Sequence, residues 1–208
     1  AQAFGSSYKD INVGNFGIAG AFSLQTTKVL TAGEGGVVVT NSKKLNDQMI
    51  KNRFYGYYEK NKLLYVTEGN NLKMSEFVAL GALCDLERIN KRIRKRIILA
   101  NRYQKNLKDT HWKTLAPSQN SKTSYYKQII ISPIERKKII NEFNKNTISM
   151  TGGVYYQPLS RQPVLGTLND KKFPNSTYFC DNHFCPPLYP ELELEDIDYI
   201  CNVLKNLS

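Results

Sequence analysis

The chain has 208 residues, of which 41% are hydrophobic and 23% charged, so it holds enough apolar material for a real core and is not disordered by composition. No run of roughly 18 apolar residues suggests a membrane span, and the start lacks the charged, apolar, small-residue order of a signal peptide. The net charge of +11 attracts polyanions in general, yet 21 of the 29 basic residues are lysines spread along the chain, which reads first as a solvated basic surface.

The opening AQAFGSSYKD offers no helix start, leader or tag and reads as a chain entered midway. Residues 17–24 (FGIAGAFS) and 36–40 (GVVVT) are small or β-branched and apolar, the pattern of buried strands. Asn41 and Ser42 offer caps for a helix over 43–54, with Leu45, Met49 and Ile50 on one face. Ser75 can cap a long helix from Glu76 to about Leu107, whose Val78 or Ala79, Leu83, Leu86, Ile89 and Ile93 recur at the spacing of a face packed on a core. Further on, SYYKQIIIS reads as a strand, ERKKIINEFNKN as a helix with Ile139, Ile140 and Phe143 inward, and 194–207 as a final helix. The expected organisation is two domains, 1–107 including the linking helix and 108–208, the second a small α+β unit.

The window with most chemical content is AFSLQTTKVLTAGEGGVVVT. A lysine at a strand end among small and apolar neighbours can be desolvated, which favours the neutral amine that forms imines. Ser23 precedes Lys28 by five residues, and its hydroxyl could bind a phosphate. By spacing alone an exposed turn lysine is the simpler account.

The same window resembles the cofactor-lysine motif of the DegT-type sugar aminotransferases, roughly F-S-F-x-x-x-K-x-[LI]-x-x-G-E-G-G-x-[VL]-x-T. Phe22, Ser23, Lys28, Leu30, Gly33, Glu34, Gly35, Gly36, Val38 and Thr40 match, and Leu24 stands where Phe is common. Other blocks resemble the family in the same order: AQAFGSSYKDINVGNFGIAGAFS, GNNLKMSEFVALGALCDLERI, TGGVYYQPLSRQPV and CPPLYPELELEDIDYI. The resemblance covers essentially the whole chain. It implies an α/β protein, the C-terminal part of the pyridoxal-phosphate-dependent aspartate-aminotransferase-like fold: the end of a large domain followed by a small α+β domain.

The implied activity is transfer of an amino group, from glutamate, to a nucleotide-linked keto-sugar, as in polysaccharide biosynthesis. Lys28 would carry pyridoxal 5′-phosphate as a Schiff base and act as general acid and base. Ser23 would hold the cofactor phosphate, Gln2 would bond the pyridoxal hydroxyl, and Asn71 would reach the cofactor phosphate of a partner subunit, which implies a homodimer. The family carboxylate that pairs with the pyridinium nitrogen would fall just upstream of Ala1, so these residues alone are not expected to transaminate. Ser160 stands where the family usually has His, and that sugar contact is not carried over. Lys28 itself argues against the related dehydratases that use His.

Other classes fit less well. Lys91, Arg92, Arg94, Lys95 and Arg96 could meet nucleic-acid phosphates, but Ile89, Ile93 and Ile97 divide them at helical spacing, which puts most of the charges on an outer face. Cys180, His183 and Cys185, with Cys201, could suggest zinc, but no second close pair exists, and the segment reads as a strand in which cysteine is a small hydrophobe. His111 and His183 lack any nucleophile-elbow pattern. The four cysteines, which also include Cys84, form no C-x-x-C pair, so a reducing cytoplasm is expected rather than a disulfide framework. The 13 tyrosines gather in FYGYYEKNKLLY and VYY and read as packing or interface surface. The competing reading from another class is a non-catalytic fragment that only dimerises.

Overall fold

The computed structural model describes residues 1–58, 61–150, 152–166 and 172–207, and these form two compact units. One comprises 1–92 with 119–124, the other 93–118 with 125–208.

In the first unit the polar opening folds into β1 (Ser7–Tyr8) and β2 (Ile11–Asn12), paired antiparallel through a turn at Lys9 and Asp10, both at positive φ. β3 (Gly20–Ser23) and β4 (Gly36–Val39) form an antiparallel hairpin with Gly20 opposite Val39 and Ser23 opposite Gly36. A Cβ on Gly20 would lie 2.4 Å from Gly14 Cα, so only glycine permits this close approach of the opening segment to β3. Both strands were expected to be buried. The structure corrects this for both: no residue of β3 is buried, the buried Leu24 coming only after it, and Val37, Val38 and Val39 of β4 are 40%, 50% and 37% exposed, because the sheet is two strands wide and the described residues leave its valines uncovered.

Ser42 caps α1 (Lys43–Asn52) by accepting the Leu45 N–H at 3.3 Å, as the sequence predicts. The short strands β5 (Tyr57–Tyr58) and β6 (Asn61–Tyr65) follow, with the Tyr57 and Tyr65 rings 4.6 Å apart and their hydroxyls 2.8 Å apart. Ser75 then caps α2 (Glu76–Leu107), its hydroxyl taking the Val78 N–H at 3.3 Å. The boundary between the units falls inside this helix.

The predicted apolar stripe along the first half of α2 is not buried as a whole. Ile89 is buried, but Leu83 is 60% and Leu86 44% exposed, and Phe77 is 88% exposed. The second half behaves as the periodicity requires, with Leu99, Ala100, Tyr103 and Leu107 fully enclosed. The basic run between them also departs from expectation. Arg92 pairs with Asp85, Lys95 with Glu193, and buried Arg96 donates to the Leu188 and Tyr125 carbonyls, so only Lys91 and Arg94 lie on the exposed face.

The second unit packs α2 against β7 (Lys113–Thr114), β9 (Ile130–Ile131), α3 (Arg136–Lys145), α4 (Pro174–Asn182), β10 (His183–Phe184) and α5 (Leu194–Lys205). The intervening β8 (Ser121–Lys122) pairs with β1 and belongs to the first unit. β9 is central in a three-stranded antiparallel sheet, between β10 and β7. Trp112, Phe143 and Phe184 meet edge to face, with centroids 5.8 and 6.2 Å apart about Phe184. The polar tips of the buried aromatics are satisfied: Trp112 Nε1 donates to Leu204 O at 3.1 Å and Tyr103 Oη to Pro187 O at 2.9 Å. Arg102 grips Asp198 at both carboxylate oxygens (2.6 and 2.5 Å) while Asn106 adds a third bond, and these donors hold the Asp198 carboxyl down at about 2.

Cys180 lies on a helix, not on the strand expected there. Pro174 at the first turn suits a helix start, and only His183–Phe184 continue as a strand. No helix among the described residues is long and apolar enough to cross a membrane.

Candidate functional site

β3 delivers the chain into a loop that closes on itself. Leu24, fully buried, donates its N–H to Gly35 O and accepts the Ala32 N–H, both at 2.9 Å. Thr26 Oγ1 donates to Gly33 O at 3.1 Å, and Thr31 Oγ1 donates to Leu24 O at 3.2 Å while accepting the Gly33 N–H at the same distance. Gly35 sits at φ +125°, a conformation that favours glycine, and a Cβ there would press to 3.2 Å on the flexible end of Met74.

Inside this closed loop Val29 and Leu30 are buried at 2% and 5% exposure. They plug the loop into the unit and leave Lys28, just before them, half-buried. The Lys28 N–H bonds Gln25 O at 2.9 Å, which makes the residues before the lysine a tight turn. Ser23 lies at the strand end where the loop begins. Its Oγ accepts the Gln25 N–H at 3.3 Å, which leaves its own O–H to be donated.

Gln2 is half-buried on the opening segment. Its neighbours Ala1 and Ala3 line a hollow of about 260 Å³ with Gly20, Ala21 and Phe22 of β3, and the Phe4 ring meets Phe22 edge-on at 5.4 Å. The segment of Gln2 is thus held beside the strand that leads to Ser23 and Lys28. Asn71 stands on another segment of the chain. It forms an isolated antiparallel bridge with Phe54 and exposes its side chain just before α2.

These residues fit the phosphate and aldehyde ends of pyridoxal phosphate. A hydroxyl proton is available at Ser23, an amine stands at Lys28, and the glycine-closed turn holds both in one short stretch. The structure keeps Ser23 and Lys28 on the contiguous stretch that the motif spans, one at the end of β3 and the other in the loop after it. Asp85 was missed: its Oδ2 accepts the Thr31 N–H at 2.9 Å and its Oδ1 is held by Arg92. The only signal was a carboxylate seven residues before an arginine on one helix, two turns apart on the same face.

Elsewhere the competing chemistries find little. His183 is fully buried, with Nδ1 bonded to Phe179 O at 2.7 Å and Nε2 accepting the Val154 N–H at 2.9 Å, so neither nitrogen is left to ligate. Burial pushes the thiols of Cys185 and Cys201 up to about 11. No group of three or more His, Cys, Asp or Glu among the described residues could hold a metal ion. Ser160 is buried in a short turn whose Arg161 grips Asp181 at 2.6 and 3.0 Å. A larger hollow of about 640 Å³, lined by Lys43, Lys44, Asp47 and Lys51, shares no residue with the Lys28 loop.

The model of the DegT/DnrJ/EryC1/StrS aminotransferase family matches residues 1–205. The chain is 29% identical over 210 residues to GDP-perosamine synthase of Escherichia coli O157:H7, covering 99% of this chain and 56% of that protein. It is 28% identical over 215 residues to dTDP-4-amino-4,6-dideoxy-D-glucose transaminase of Shigella dysenteriae, covering all of this chain and 58% of that one. Among solved structures, the sugar aminotransferase Spr1654 of Streptococcus pneumoniae in its PLP form superposes with a TM-score of 0.90 at 23% identity, over all of this chain and 56% of that one. The chain therefore spans a little over half the length of the relatives it matches, and its fold is the C-terminal part of theirs.

Proposed function

The chain belongs to the DegT/DnrJ/EryC1/StrS aminotransferase family, and on that premise we propose that the protein transfers an amino group from glutamate to a nucleotide-linked keto-sugar, with pyridoxal 5′-phosphate carried at Lys28. The donor departs as its 2-oxo acid and the acceptor as an amino-sugar, the two half-reactions alternating at one site. When bound, the cofactor supplies an aldehyde for the lysine amine and a ring that takes up the electron pair of a broken C–H bond. The remaining work falls to the chain. Lys28 Nζ moves the proton to and from the substrate carbon, the Ser23 O–H donates to the phosphate, and the Gln2 amide bonds the ring hydroxyl. Asn71 reaches the phosphate of a second subunit, so the working form is a homodimer.

The observation that carries this reading is the glycine-closed loop in which half-buried Lys28 follows Ser23, whose hydroxyl proton remains to be donated. The names of the two relatives support a nucleotide-bound sugar as acceptor; polysaccharide biosynthesis in the cytoplasm is part of the same proposal. In this reading residues 1–107 are the end of the cofactor-binding domain and 108–208 the small domain. A second reading, in which these 208 residues alone dimerise without reacting, is favoured by the exposed apolar half of α2.

The test is intact mass after incubation with pyridoxal phosphate and borohydride. An adduct that disappears in Lys28→Ala, together with a fall in amino transfer of about 10²–10⁴-fold or more, is expected. An adduct spread over other lysines, or one indifferent to Lys28→Ala, sinks the assignment of Lys28.

A further inference from the structure

The loop around Lys28 is closed mostly by its own residues, and self-closure does not fix where a loop stands on its domain. Thr31, three residues after the lysine, supplies an outside anchor. Its N–H donates to Asp85 Oδ2 of α2 at 2.9 Å, across 54 residues of chain, while its hydroxyl bonds Leu24 O at 3.2 Å and accepts the Gly33 N–H at 3.2 Å. Asp85 is itself held: Arg92, two helical turns on, binds Oδ1, and the two side chains are only 18% and 24% exposed. A carboxylate fixed by a guanidinium and accepting a backbone N–H makes the stronger, charge-assisted kind of hydrogen bond.

We propose that Asp85, oriented by Arg92, is a positioning residue that clamps the cofactor lysine's loop to α2 and thereby sets where the Lys28 amine stands relative to the aldehyde it attacks. The proposal rests on the reading of Lys28 as the cofactor's attachment point. Reacting atoms must meet at near-contact distance and in line, so a loop free to shift by an ångström loses rate even when its fold survives. Phosphate binding depends on Ser23, which is held in β3 by its own pairing opposite Gly36 of β4 and not by Asp85, so loosening the clamp slows the bond-forming step and leaves cofactor affinity nearly unchanged.

The test compares the protein with Asp85→Asn, which keeps an acceptor for the Thr31 N–H, and Asp85→Leu, which removes it. Hydrogen exchange of the peptide 24–36 reads the clamp without any cofactor. Condensation of the Lys28 amine with the aldehyde, with loss of water, is trapped when borohydride delivers hydride to the carbon and the nitrogen keeps a proton, and its rate is followed over a range of pyridoxal phosphate concentrations. Faster exchange in 24–36 for Asp85→Leu, unchanged exchange in 99–107, and a limiting trapping rate lowered about tenfold at unchanged half-saturation are expected. Asp85→Asn should stay within about threefold of the unaltered protein. Unaltered exchange or an unaltered trapping rate in Asp85→Leu overturns the clamp alone. Absence of any Lys28 adduct in the unaltered protein overturns the lysine assignment and the clamp's purpose with it.

Discussion

His183 shows how much one side chain can hold in place. Its Nδ1 faces the Phe179 carbonyl and can only donate there, so Nε2 must stay unprotonated to accept the Val154 N–H. The ring also stacks on Phe179 with centroids 4.2 Å apart, and Arg136, lying 3.8 Å over the Tyr156 ring, donates to the His183 carbonyl. Burial, reinforced by the nearby cations Arg136 and Lys127, lowers its pKa below the ordinary 6.5. The sign follows from linkage: the unfolded chain takes up the proton first, so the stability conferred by the neutral ring is complete above 6.5 and is lost as pH falls below it. Denaturant unfolding at about pH 7.5 and about pH 5 should therefore show a loss on acidification. His183→Phe should cost about 1–3 kcal/mol at the higher pH, by leaving the Val154 N–H without an acceptor, and should lose less on acidification than the unaltered protein. An acid sensitivity as large in His183→Phe as in the parent would place its origin elsewhere.

At the scale of elements, the start of α2 depends on a single hydroxyl. Ser75→Ala leaves the Val78 N–H without its partner and should cost about 1 kcal/mol, read as roughly fivefold faster hydrogen exchange in the first turn, 76–80. An unchanged rate there would mean that the cap is replaceable by water. Caps such as Ser75 and Ser42 were legible in the sequence because residue and recipient lie within one turn. The length of α2 was legible too, since its apolar period runs to Leu107. What covers an apolar face is a different matter: the valines of β4 and the Leu83 face of α2 have the composition of buried surface, and no local pattern says whether the covering layer is in these residues. Likewise β1 pairs with β8, Ser7 opposite Lys122, and Asp85 holds Thr31, contacts whose partners stand far apart in the chain. The Lys28 loop was readable because it is contiguous; its anchor was not.

The whole molecule is divided by where its apolar surface goes. The contiguous core cluster, from Leu99 to Leu204, belongs to the second unit, whereas the first buries Leu24, Val29, Leu30 and Ile89 and exposes Phe77, Leu80, Leu83, Tyr65 and Leu72 by more than half. Burying one such side chain contributes roughly 1.5–3 kcal/mol, so a unit that leaves so many uncovered forgoes much of the drive to fold. Exposed apolar faces of this extent mark contact surfaces. The 208 residues taken alone should therefore be unequal in stability. Hydrogen exchange ought to be fast over 1–92 and slow over 99–107, 139–143 and 197–204, and limited proteolysis ought to cut the first unit first. Phe184→Ala, which removes a ring packed between Trp112 and Phe143, should cost the second unit about 3–5 kcal/mol and raise exchange there without altering it in 24–36. If both units instead exchange alike and melt in one transition in the unaltered chain, the first unit's exposed faces are being covered. The same sample's mass in solution would then tell whether a second copy covers them.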